Sequence, residues 1–142
     1  MTRQTVTAMT PTLSMATETD CHRIAAIHIA AFGANALLRA QFPTPSAREA
    51  LELCIAQKAI HDIRDSKMAV LIVRDQSGEI ISFAKWSLPV CGSETYVETP
   101  WTWPEETNLA CLDEWTEKIE CATQKVLGGA PCCRKSLGTS VL

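Results

Sequence analysis

The fold turns on Met68–Ser87, which reads MAVLIVRDQSGEIISFAKWS. Met68-Ala69-Val70-Leu71-Ile72-Val73 is a continuous apolar run rich in β-branched residues. It is too short for an ordinary helix, so Lys67–Arg74 is predicted to be a strand buried on both faces. Asp75-Gln76-Ser77-Gly78 carries turn chemistry, since Asp folds back on its own backbone and Gly tolerates positive φ. Glu79–Leu88 then returns with Ile80, Ile81, Phe83 and Trp86. The two runs are predicted to pair as an antiparallel hairpin around Ser77-Gly78.

Upstream of the hairpin the period changes from two to about 3.6. Ser46-Ala47-Arg48-Glu49 has the S-x-x-E form of a capping box. The helix it starts is predicted to run to Arg64, with Leu51, Cys54, Ile55, Ala59 and Ile63 on its buried side. Pro43 and Pro45 separate it from a shorter helical piece, Ala34–Phe42, which carries Leu37, Leu38 and Phe42. Before that, Thr17-Glu18-Thr19-Asp20 is a candidate capping box for a helix over Glu18–Phe32. Its apolar stripe is Cys21, Ile24, Ile27, His28, Ala31 and Phe32, and Gly33 is a natural stop. Leu13–Thr17 alternates and is predicted to be a short strand of the same sheet. Met1–Thr12, rich in Thr, is predicted to be a disordered lead-in over residues 1–12.

Downstream, Pro89–Pro104 is a loop with Gly92, Tyr96, Pro100, Trp101, Trp103 and Pro104. A long helix is predicted over Glu105–Leu127, because Leu112, Trp115, Ile119, Ala122 and Val126 recur every three or four residues. Gly128-Gly129 ends it. Residues 132–142 show no periodicity and are predicted to be an irregular C-terminal tail. The fold class is α/β in the α+β sense: an antiparallel sheet of about three strands packed by three to four helices in one domain, residues 13–131.

Composition narrows the function. The chain has 142 residues, 46% of them hydrophobic, and a formal charge of −3. Its pI is near 5.6, which argues against nucleic acid, whose phosphates call for a basic face. No apolar run approaches the roughly 20 residues of a membrane span. The N-terminus has no continuous apolar stretch of the kind a secretion signal needs. The cysteines number seven, an odd count with no C-x-x-C spacing. Free thiols in a reducing, cytoplasmic compartment follow, with no disulfide and no metal.

The stretches Met15–Asp20, Ile24–Phe32, Ala69–Val73, Asp75–Gly78 and Glu79–Trp86, in that order, resemble the N-terminal half of fungal-type members of the GNAT superfamily, the acyl-CoA N-acyltransferases. The resemblance covers Leu13 to Pro131. It implies a partial GNAT-like fold, acetyl-CoA as co-substrate and a small-molecule or peptide amine as acceptor. It also implies a fourth strand leading into a Q/R-x-x-G-x-G/A turn, whose amides and following helix start would hold the pyrophosphate. That motif is missing between Cys133 and Leu142. Leu137-Gly138-Thr139 resembles only a remnant of the strand, and Gly128-Gly129 has no following helix. The expectation is a truncated member that does not catalyse transfer as this chain, with no cofactor-binding residues of its own.

On the acceptor side the resemblance points to Phe32, Phe42 and Trp86 as substrate-binding residues, each equally suited to a core. Candidate bases are His22, His28 and His61. His28 lies on the apolar stripe and reads as a core or boundary histidine, whereas His22 and His61 sit in polar stretches. Glu94 and Glu98 in the aromatic loop could hold an amine, or could simply be solvated. Cys132 and Cys133 have no partner base that would make either a nucleophile. No catalytic residue is assigned. The alternative is a non-catalytic interaction domain that uses Trp101, Trp103 and an open sheet edge, an edge that also invites self-association.

Overall fold

The structure is a computed structural model, and it describes residues 10–89, 97, 99–128, 130 and 133–135. Strand β1 (Thr12–Met15) leads through a 3-10 turn (Glu18–Asp20) into helix α1 (Cys21–Phe32). Helices α2 (Ala36–Gln41) and α3 (Pro45–Arg64) follow, then strands β2 (Met68–Arg74) and β3 (Ile80–Ser87). Helix α4 (Leu109–Leu127) and a two-residue strand β4 (Arg134–Lys135) come last. The sheet is antiparallel in the order β1-β2-β3-β4. The class is α+β.

The predicted hairpin forms. Val70 pairs with Lys85 and Ile72 with Phe83, and the register shifts at Val73/Arg74, where Ser82 and then Ile80 are the partners. The turn closes on Asp75, whose Oδ1 accepts from the Ser77 and Glu79 amides at 2.9 and 3.0 Å. Gly78 takes φ +84° there, a conformation that L side chains rarely adopt. Strand β1 joins the hairpin through Leu13–Val73 and Met15–Leu71 pairs.

Strand β2 corrects one expectation. Met68, Val70 and Ile72 are buried, but Ala69, Leu71 and Val73 are only half-buried. One face packs on α1 and α3, and the other has no described layer above it. The core gathers Ile24, Ala25, Leu51, Ile55, Ala59, Val70 and Ile72 between the sheet and those helices. Cys54 and Ile63, predicted to be on the buried side of α3, flank this face and are half-buried.

Several helix ends also differ. At the first, Thr17 N–H donates to the Asp20 carboxylate at 2.8 Å, the back-bond of the predicted box, but Glu18–Asp20 winds as a 3-10 turn. Gly33 ends α1 at φ −60°, not in the left-handed region, and a Cβ there would meet the Ile29 carbonyl oxygen at 2.6 Å. Asn35 caps α2 by accepting from the Leu37 amide at 2.8 Å, so the helix starts at Ala36 rather than Ala34. The cap of α3 is Thr44, which accepts from the Ala47 amide at 3.1 Å. Pro45, with no N–H to satisfy, opens that helix, so Ser46 lies inside it and the predicted box does not form.

Helix α4 starts four residues later than Glu105. The Pro104 carbonyl accepts from the Thr107 amide and hydroxyl at 3.1 and 2.7 Å, which holds Glu105-Glu106 in a turn. Asn108 then caps α4 by accepting from the Cys111 amide at 3.2 Å. Gly128 closes it with φ +56°. Within the stretch predicted to be an irregular tail, Arg134 and Lys135 pair with Ser87 and Trp86 as β4. No helix of the described residues is long and apolar enough to cross a membrane.

A candidate ligand cavity beside a buried lysine-aspartate network

Helix α4 is amphipathic, yet none of its residues is buried. Its stripe of Leu112, Trp115 and Ile119 faces a cavity of about 290 Å³. The opposite walls are the end of α2, the first turns of α3, and Trp101 and Trp103. One backbone bond sets this distance between helices: the Asn108 amide donates to the Gln41 carbonyl at 2.7 Å. Glu106 adds a second tie, because its carboxylate accepts from Thr44 Oγ1 at 2.6 Å and from the Ser46 hydroxyl. The start of α4 is thus fixed to the α2–α3 corner while its body stands off the core.

The indoles of Trp101 and Trp103 stack at 4.4 Å with an interplanar angle of 2°. Trp103 packs on Phe42, ring centroids 5.7 Å apart, and both indoles lie against the core. Gln41 is fully buried and lines the cavity, and neither polar atom of its amide has a protein partner. Trp101 Nε1 and Trp115 Nε1 are buried and equally unpartnered. Such groups cost free energy unless something satisfies them. Asp113 and Glu120, both exposed, flank the stripe on α4.

Beneath Trp101 lies a buried ionic network. The Lys58 ammonium sits 5.5 Å from the Trp101 ring centroid and bonds to Asp62 one turn on. Asp62 also accepts from Lys85 Nζ at 2.9 Å. All three side chains are essentially inaccessible. Burial pushes the Lys85 ammonium below its ordinary value, and the neighbouring Asp62 carboxylate opposes that push. The positions follow from periodicity. Lys58 and Asp62 lie on the α3 face that carries Leu51, Ile55 and Ala59, and the register with Val70 turns Lys85 inward.

A second cavity, of about 200 Å³, opens between α1 and β3, with Phe32, Phe83 and Lys85 among its walls. His28 is buried, borders both cavities and meets Phe32 edge-on at 5.0 Å.

The residues nominated from sequence are therefore dispersed. Phe42 lines the larger cavity and Phe32 the smaller one. Trp86, 39% exposed on β3, lines neither. His28 sits between the cavities, whereas His22 and His61 are exposed. Glu94, Glu98 and Cys132 lie outside the described residues, and Cys133 is exposed. Cys21, Cys54, Cys111, Cys121 and Cys133 are free thiols, and burial pushes Cys21 and Cys54 upward. Sequence reasoning missed Gln41, Lys58, Asp62 and Lys85. The available signal was polar residues at inward positions of otherwise apolar faces.

The pyrophosphate of an acyl-CoA needs oriented donors or fixed cations. The described strand-to-helix junction at β1–α1 does not fit it, since Glu18 and Asp20 fill it with carboxylates paired to Arg64 and Arg74. Among the described residues no group of His, Cys, Asp and Glu could hold a metal ion.

No protein-family model and no curated protein matches this sequence. Among solved structures the chain is similar to one described as histone acetyltransferase HPA2 and related acetyltransferase from Corynebacterium glutamicum. The two are 17% identical over 82% of this chain and 72% of that one, with a TM-score of 0.47. Identity that low concerns backbone arrangement, and nothing about activity follows from it.

Proposed function

We propose that this chain is a relative of the GNAT N-acyltransferases that carries the acceptor side of the fold, and that the cavity between α2, α3 and α4 receives the acceptor amine. The observation behind this reading is the cavity itself. It is lined mainly by apolar side chains, bounded on one side by stacked indoles, and bordered by buried polar atoms with no protein partner. That is the form of a small-molecule site. The order β1, three helices, then the β2–β3 hairpin in one antiparallel sheet is what the sequence resemblance implied, and it supports the family assignment.

In the family the acyl-CoA supplies an activated thioester carbonyl. The residues described here bind and enclose the acceptor, and the Trp101–Trp103 stack excludes water from one side of it. The 142-residue chain binds acceptor without turning over acetyl-CoA. The test is calorimetric titration with acetyl-CoA beside a thiol-release assay over a panel of amines. Amine binding without thiol release is the expected result. Micromolar acetyl-CoA binding with turnover would overturn the acceptor-only reading, and failure of every amine to bind would overturn the site.

The second reading, a partner or a second copy added to the sheet, keeps one supporting feature. Among the described residues β3 pairs with β4 only at Trp86 and Ser87. Among the described residues the rest of that edge has no paired strand, and an edge of that kind can take up another strand.

A further inference from the structure

We infer that the cavity under α4 selects a small aromatic primary amine that also carries a hydroxyl or carbonyl oxygen. The inference rests on the acceptor-side reading and goes further by naming the ligand's chemistry. It comes from sorting the cavity wall by what each part lacks.

The first part is apolar. Leu112, Trp115 and Ile119 form the inward stripe of a 19-residue helix in which nothing is buried. An apolar stripe ordinarily packs on a neighbour. Here it stands over the cavity, so an apolar body inside would complete the packing. A volume of about 290 Å³ is at the small end of ligand sites. It suits one ring and a short chain. Trp101 and Trp103 also line the cavity; their flat faces meet each other, Phe42 and the Lys58 ammonium, so a ligand ring would meet them edge-to-face, a geometry that aromatic pairs favour.

The second part is donor-rich. The Gln41 amide and the indole N–H groups of Trp101 and Trp115 are buried without partners. Gln41 brings both a donor and an acceptor, and each indole is a donor only. A purely apolar ligand would leave them all unsatisfied. An oxygen that accepts from one or two of these N–H groups, and in the case of a hydroxyl can also donate to the Gln41 carbonyl oxygen, reduces that cost.

The third part is acidic. Asp113 and Glu120 stand on the cavity side of α4, about two turns apart. Both are exposed, so they attract a cation without being desolvated themselves. A ligand carboxylate would be repelled. A ring, an oxygen at one end and an ammonium at the other are what the three parts describe together.

Calorimetry on the 142-residue chain, without acetyl-CoA, tests this with tyramine, 2-phenylethylamine and 3-(4-hydroxyphenyl)propanoate. Tyramine is expected to bind most tightly. Loss of the hydroxyl should weaken binding about tenfold, the usual worth of one buried hydrogen bond. The propanoate, which carries the opposite charge, should not bind. The D113N/E120Q double variant should weaken tyramine several-fold and reduce the salt dependence of binding. Glu117→Gln, the same charge change outside the cavity wall, should not. W115F keeps the ring and removes the N–H, so it should narrow the gap between tyramine and 2-phenylethylamine. Equal binding of the propanoate, or no loss in the double variant, would overturn the inference. If tyramine binds as described and the chain also binds acetyl-CoA and turns it over, the acceptor-only reading fails and the ligand class stands. If other amines bind while tyramine does not, the ligand class fails and the acceptor-side reading stands.

Discussion

Lys85 Nζ lies 2.9 Å from Asp62 Oδ2, and neither side chain is more than 2% exposed. This bond ties the centre of β3 to the last turns of α3, and through Lys58 it reaches the ring of Trp101. A single carboxylate thus joins the sheet, the longest helix and the cavity wall. Ionic groups this far from water do not stabilise a fold simply by pairing, since desolvation offsets much of the attraction. They do make it intolerant of losing a partner.

Asp62→Ala should therefore destabilise the protein by about 3–5 kcal/mol, because two buried ammonium groups lose their shared carboxylate. Lys85→Met should cost less, since Asp62 keeps Lys58 and the methionine refills the space. Urea unfolding of both variants checks the order. An Asp62→Ala effect within about 0.5 kcal/mol of wild type, the range of ordinary surface changes, would show that the network is not formed as described.

Asp20 gives the pH dependence. Burial raises its carboxyl, but hydrogen bonds from the Thr17 amide, Arg74 and the Thr17 hydroxyl outweigh that and hold it below the ordinary range. A depressed folded value means that the stabilisation is present above the unfolded value of about 3.9 and is lost as pH falls through the lower folded value. Asp20→Asn should be less stable than wild type at neutral pH. The gap should shrink in acid, as pH falls below the unfolded value and through the lower folded one. Urea midpoints at both pH values measure it, and a gap that does not depend on pH would contradict the assignment.

The start of α3 separates two caps. Thr44→Ala should cost about 1 kcal/mol, the usual worth of a hydroxyl cap. Ser46→Ala, inside the helix, loses only an exposed bond to Glu106 and should cost less than Thr44→Ala, which loses the cap as well as its own bond to Glu106. The reverse order in thermal or urea unfolding would restore the capping box that Ser46 and Glu49 suggest.

The hairpin was legible because its two signals agree: β-branched runs on both sides and an Asp-x-x-Gly turn between them. The helices were legible from their apolar stripes, but their ends were not. Pro45 looked like a breaker and is the first residue of α3. Glu105 looked like helix and is held in a turn by Pro104 and Thr107. The buried network was hidden for a different reason. Lys and Asp are ordinarily solvated, so Lys58 and Asp62 were passed over, although they share a face with Leu51 and Ile55. Lys85 becomes buried only once its register with Val70 is known. The cavity required tertiary information altogether, since Gln41, Trp101 and Trp115 lie on separate segments and meet through the Asn108–Gln41 bond.

The most direct test of the proposed ligand cavity is the indole N–H spectrum of nitrogen-15-labelled protein during a titration with tyramine. The chain has four tryptophans, and Trp101, Trp103 and Trp115 line the cavity while Trp86 lies on the exposed face of β3. The account predicts saturable shifts of the Trp101 and Trp115 resonances, because their unpartnered N–H groups gain an acceptor, with Trp86 unmoved. No shift of Trp101 or Trp115, or a shift confined to Trp86, would contradict it.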